Sequence, residues 1–161
     1  MLTIATEVWI ATARLHRRYP DRADFTISDI ADEARRLMLA GSIRAGLLPH
    51  LYLHCVANRP PNPARLRMLF ATGKHTRRLY RPGDSFDRDR AGGATAPDRA
   101  GLPEHYQELW DWYAQEYAKQ QGGETAGAES DPILRLRGLG KSLWAGENPD
   151  RYVERLRQGW Q

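Results

Sequence analysis

Asp24-Phe25-Thr26, then Ile27 to Leu37, Gly41, Ser42 to Asn58, Arg65-Leu66-Arg67-Met68-Leu69-Phe70-Ala71-Thr72, Gly73-Lys74-His75 and Thr76-Arg77-Arg78-Leu79-Tyr80-Arg81 make up the stretch that decides the fold. Asp24–Thr26 read as a short strand entry. Ile27, Ile30, Ala31 and Ala34 recur at helical spacing, and Thr26 or Ser28 can cap that helix. Its first turn carries Asp29, Asp32 and Glu33, which suit the positive helix end, and its last turn carries Arg35 and Arg36. A glycine turn at Gly41 leads to a second helix opened by Ser42, whose hydroxyl can accept from free N–H groups. Pro60, Pro61 and Pro63 stiffen the loop that follows, and two short runs around Gly73-Lys74-His75 predict a basic hairpin.

That order of elements is the order of a winged helix-turn-helix. The expected fold is mainly α with a β-hairpin wing, followed by a C-terminal helical extension. Such a layout puts one helix into a DNA major groove and a positive hairpin onto the flanking backbone. In the helix over 42–58, Ser42, Arg44 and His50 are the candidate base-side residues, and Arg44 has the geometry to pair with guanine. Lys74, His75, Arg77 and Arg78 sit at the wing tip and return strand, where phosphate contact is natural, and Arg59 and Arg65 flank the proline loop. Pro49 leaves two options: a helix that bends there, or a short turn over 43–48 with the helix proper starting at Pro49, where a first-turn proline is tolerated.

Ahead of this stretch, Ile4, Val8, Ala11 and Leu15 predict a helix over Thr3–Arg18. Beyond it, residues 82–101 are rich in Gly, Pro, Asp and Arg and read as a linker. Tyr106, Leu109, Trp110, Tyr113 and Tyr117 line one side of a helix over 103–121. Gly122 to Ser130 reads as a second break, and Asn148 and Pro149 open a short last helix with Tyr152, Val153 and Leu156 on one face. The expected division is therefore 1–82, 83–102 and 103–161.

The chain has 161 residues and a net charge of +4, but the charge is unevenly placed. Residues 1–82 carry 14 Lys and Arg against 6 Asp and Glu, a net of +8, while the rest carries −4. A field of one sign over the presumed DNA-binding half favours a polyanion partner. A single cysteine, Cys55, allows no disulfide within the chain and fits a reducing cytoplasm. No apolar run reaches the length of a membrane span, and no signal-peptide pattern opens the chain.

Ser42-Ile43-Arg44, His54-Cys55-Val56-Ala57-Asn58 with prolines after it, Leu69-Phe70-Ala71-Thr72-Gly73-Lys74 and Arg78-Leu79-Tyr80 resemble a poorly characterised bacterial winged-helix domain that occurs alone or beside restriction and other defence proteins. The resemblance covers about residues 4–82, departs from the pattern at Pro49 and Thr76, and implies DNA binding and transcriptional regulation. Gly138-Leu139-Gly140-Lys141-Ser142-Leu143-Trp144 and Asn148-Pro149-Asp150-Arg151-Tyr152-Val153 with Leu156-Arg157 are similar to the C-terminal tails of small bacterial antitoxins, which wrap a partner. The expected partner is double-stranded DNA. A homodimer mate and a protein partner through residues 131–161 remain open, and the alternative reading is an adaptor or antitoxin-like protein.

No catalytic set emerges. Gly140-Lys141-Ser142 lacks the glycine a phosphate loop needs five residues earlier, where Arg135 stands. His50, His54 and Cys55 lack further ligands for zinc, and Asp84, Asp87 and Asp89 do not match a calcium loop. The aromatic stripe over 106–117 could stack bases, but an amphipathic stripe of this kind is more often core or dimer surface. The expectation is a non-enzyme without cofactor or metal.

Overall fold

The computed structural model describes residues 2–37, 44–61 and 64–120. Helix α1, Ile4–Arg18, starts at Thr3, whose side-chain oxygen accepts from the Thr6 N–H at 3.1 Å. Val8, Trp9, Ile10, Ala11, Thr12 and Ala13 are all buried, so α1 is covered on several sides and is the central helix. Burying side chains such as Trp9, Ile10 and Leu15 contributes about 1.5–3 kcal/mol each.

Strand β1, Phe25–Thr26, runs directly into α2, Ile27–Leu37. Thr26 and Asp29 close the junction reciprocally: the Thr26 hydroxyl accepts from the Asp29 N–H at 3.0 Å, and the Asp29 carboxylate accepts from the Thr26 N–H at 3.1 Å. On α2, Ile30 and Ala31 face the core. Glu33, only 1% exposed, receives Arg14 and Arg18 from α1, with the Arg14 Nε at 3.0 Å. The carboxylate joins the two helices and is not left unpaired.

Helix α3 covers Leu47–Pro49 in α form and continues as a wider π turn over His50–His54, where the Cys55 N–H reaches back to the His50 carbonyl. Pro49 lies inside the first turn, where its missing N–H costs nothing. The helix expected over 42–58 is therefore shorter among the described residues; Gly41 and Ser42 lie outside them. After α3 the backbone pairs at once with the wing: Cys55 accepts from Met68 and Leu69, and Ala57 N–H donates to Leu69.

Strands β2, Leu69–Ala71, and β3, Thr76–Leu79, form the hairpin and join β1 in one antiparallel sheet of order β1-β3-β2. The register pairs Phe25 and Ala71 with Arg77, and Phe70 with Arg78. The Asn58 side chain gives and takes hydrogen bonds with Ala71 at 2.9 Å, occupying part of the open edge of β2.

The linker expected over 83–102 is a packed segment. It contains two short 3₁₀ turns, Arg88–Arg90 and Arg99–Gly101, and Arg67 donates to Ala94 along it. A Cβ at Gly93 would lie 1.7 Å from the Arg65 carbonyl oxygen, so only glycine permits that approach. Helix α4, Glu104–Trp112, continues as a π turn over Tyr113–Tyr117. Its Tyr106, Leu109, Tyr113 and Tyr117 are buried, Trp9 meets Tyr113 edge-on at 5.6 Å, and Tyr113 Oη donates to the Tyr80 carbonyl at 2.8 Å. Residues 83–117 thus belong to the same body as α1 and the hairpin, and Met1–Gly123 forms one compact unit. The expected boundary at 82 is corrected accordingly. The tail with its antitoxin-like pattern, 121–161, lies outside the described residues.

Candidate nucleic-acid interface

Basic side chains fall into two groups here, those spent inside the protein and those left on its surface. Arg77 is 1% exposed: its Nε donates to the Leu51 carbonyl of α3 at 2.9 Å, and its Nη1 donates to Gly73 and Thr76 in the hairpin turn. It is a strut that fixes the turn against α3. Burial lowers its pKa first and Arg59 adds to that, yet a guanidinium stays charged at neutral pH. Arg78, 3% exposed, forms a two-pronged pair with Asp84 at 2.6 and 2.7 Å, and its guanidinium lies 4.5 Å from the centre of the Phe70 ring. Asp84 also accepts from the Arg81 N–H. Both arginines were expected to touch DNA, and both are instead consumed by internal acceptors. Both faces of β3 are covered at this point: the Arg77 side by α3, through the Leu51 carbonyl, and the Arg78 side by Asp84 and the Phe70 ring.

Of the residues expected to read bases, Arg44 and His50 are engaged within the protein, and Ser42 lies outside the described residues. Arg44 lies with its Nε 3.4 Å from Glu7 Oε1 of α1. Burial raises the Glu7 pKa and Arg44 opposes it. His50 places its Nδ1 2.7 Å from the Gly46 carbonyl, which can only accept, so Nδ1 carries the proton. The same ring lines an apolar cleft of about 580 Å³ with Leu2, Leu66, Met68 and Ala96. The His54 ring lies tilted beside that of His50 with centroids 4.7 Å apart, and Cys55 is buried, its thiol pushed up to about 12 by desolvation. That is an inert thiol and not a nucleophile.

Four of the expected basic residues remain outside. Arg59, Arg65, Lys74 and His75 are exposed, and no acidic residue pairs with them among the described residues. Lys74 and His75 form the hairpin turn. Arg59 lies near enough to act electrostatically on Arg77, as does Tyr52. Tyr52 meets His75 edge-on at 6.4 Å, which joins the outer face of α3 to the wing turn. That outer face carries Leu48 and Tyr52, 46% and 44% exposed and one helical turn apart. Reading from sequence missed both, although their four-residue spacing places them together on one face, beside the buried Leu47 and Leu51. Arg65 belongs to a different patch, beside Gly93.

No family model, curated protein or solved structure matches this chain. Its function is therefore argued from this surface. Among the described residues no group of three His, Cys, Asp or Glu is placed to hold a metal ion, and no helix is long and apolar enough to cross a membrane.

One residue that sequence reading left in the linker organises the back of the interface. Arg90 is fully buried and its five N–H groups all reach backbone carbonyls: Nε to Arg59, Nη1 to His54 and Leu66, Nη2 to Leu53 and Pro60. It caps the end of α3 and pins the proline loop that carries Arg59. The Asp-Arg alternation of 87–90 looked like soluble linker because composition does not distinguish a solvated arginine from one that closes five carbonyls.

Proposed function

We propose that the chain is a DNA-binding protein of winged-helix layout that holds the duplex by its phosphates, through Lys74, His75 and Arg59, and serves in bacterial transcription regulation. The element order α1-β1-α2-α3-β2-β3 and the sheet order β1-β3-β2 support that layout. The observation that carries the reading is the hairpin turn, which presents Lys74 and His75 without an acidic partner while Arg77 locks the turn to α3. Cations placed in this way neutralise phosphates and release counterions. Arg65 would add a contact only to a duplex long enough to reach the Gly93 side. The reading assigns no catalytic step, and it places the protein in the cytoplasm with its DNA.

Titrating salt against affinity for a random-sequence duplex tests it. Binding should weaken steeply as salt rises, and removing Lys74 or Arg59 should reduce the slope of log K against log salt by about 0.9 each. Affinity that ignores salt, or no binding at all, rejects the reading.

Leu48 and Tyr52 support a second reading, in which the outer face of α3 meets a protein. In that case DNA binding is absent while the protein keeps its fold. The cations around the face and the lack of acids on them favour the polyanion.

A further inference from the structure

The outer face of α3 offers few hydrogen bonds. Arg44 and His50 are committed elsewhere, and the exposed side chains of the helix are Leu48, Pro49 and Tyr52, with Ala45 just before it. Only the Tyr52 hydroxyl could give or take a hydrogen bond there. Discriminating bases by paired donors and acceptors needs Arg, Lys, Asn or Gln, and none stands on this face among the described residues. What the face offers instead is apolar area at two positions four residues apart, about 6 Å along the helix axis, or about two base-pair steps. In the major groove one base-pair feature is apolar: the C5-methyl of thymine.

We propose that Leu48 and Tyr52 pack against thymine C5-methyl groups in the major groove, so that the protein prefers A·T-containing duplex by contact with methyls and not by base hydrogen bonds. This rests on the DNA-binding reading. Charge complementarity selects DNA as the occupant: Lys74 and His75 border the face at the wing turn, Tyr52 meets His75 at 6.4 Å, and Arg59 stands near Arg77 behind it. The Arg77 strut ties Leu51, on the inner side of the same helix, to the turn, so phosphate contact by the turn sets the depth at which Leu48 and Tyr52 enter the groove. A protein occupant would instead face an apolar stripe rimmed by unpaired cations.

The test uses the full chain and three duplexes of 20 base pairs at fixed salt: alternating A·T, the same duplex with deoxyuridine in place of thymidine, and alternating G·C. Loss of one buried methyl weakens binding by about fourfold, so with two thymines in contact the uracil duplex should bind about sixteenfold more weakly than the thymine duplex and no better than the G·C duplex. The Leu48→Ala/Tyr52→Ala variant, exposed at both positions and checked for native circular dichroism, should bind all three alike while keeping the wild-type salt slope. Salt-dependent binding with no thymine–uracil difference overturns the methyl contact and leaves the DNA reading standing. A thymine–uracil difference that survives in the double variant also overturns it, since uracil would then act through duplex stiffness. No binding to any duplex removes the DNA reading and this inference with it, and leaves the face to a protein partner.

Discussion

The hairpin turn and the segment 83–102 look alike as sequence: glycines, a few prolines nearby, and isolated basic residues among polar ones. In the folded chain they use their cations in opposite ways. Lys74 and His75 are exposed with no acid beside them among the described residues, whereas Arg90 is fully buried with each of its five donors on a carbonyl. Arg77 and Arg78, three and four residues from Lys74, behave like Arg90 and not like their neighbour. The difference teaches that the basic excess of the N-terminal half is not one electrostatic surface. Part of it is internal structure, and only the remainder is available to a polyanion.

Substitutions that separate the two kinds of cation sharpen that comparison. Arg90→Met should cost the most, about 3–5 kcal/mol in urea unfolding, because it leaves buried carbonyls at the end of α3 and in the proline loop without donors. Arg90→Lys should not restore stability, since an ammonium cannot reach five fixed acceptors. A loss below about 1 kcal/mol for Arg90→Met would make Arg90 an ordinary surface cation. Gly93→Ala should cost about 2 kcal/mol through the clash with the Arg65 carbonyl, read from the same unfolding curves.

His16 supplies a pH-dependent effect. It is 3% exposed, its Nε2 accepts from the Leu79 N–H at 3.4 Å, and burial, with the Arg81, Arg78 and Arg22 cations adding to it, depresses its pKa to about 3. The unfolded chain takes up a proton that the folded chain refuses. Its contribution is therefore complete above the ordinary value of 6.5 and is lost as pH falls from there towards 3, by up to about 1.4 kcal/mol per pH unit. Urea midpoints at pH 7 and pH 4.5 should differ less in His16→Gln than in the wild type; equal differences would mean the imidazole is solvated. Lys74→Ala should be the smallest in stability, within about 0.5 kcal/mol of wild type.

Much of the frame could be read in the residues. The apolar spacing of α1 and α2, a cap at Thr26 or Ser28, and the two strands around Gly73–His75 are local signals; the structure has the helices and strands and takes Thr26 as the cap. Pro49 matches neither option in full: the helix starts at Leu47, two residues ahead of the proline, which still stands inside the first turn where it is tolerated. What could not be read depends on contacts distant in sequence. Arg77 is buried because the Leu51 carbonyl of α3, 26 positions earlier, takes its Nε, and Arg90 reaches carbonyls up to 37 positions away. The aromatic stripe of α4 carried a correct amphipathic signal but no indication that its partner is α1.

On the proposed function, Arg59 and Lys74, and not the buried arginines of β3, hold the polyanion. The most direct test is the salt slope of duplex binding for Arg59→Ala/Lys74→Ala beside wild type, with both unfolding curves recorded. The account predicts a slope smaller by about 1.8 with stability unchanged. An unchanged slope in the folded double variant would contradict it.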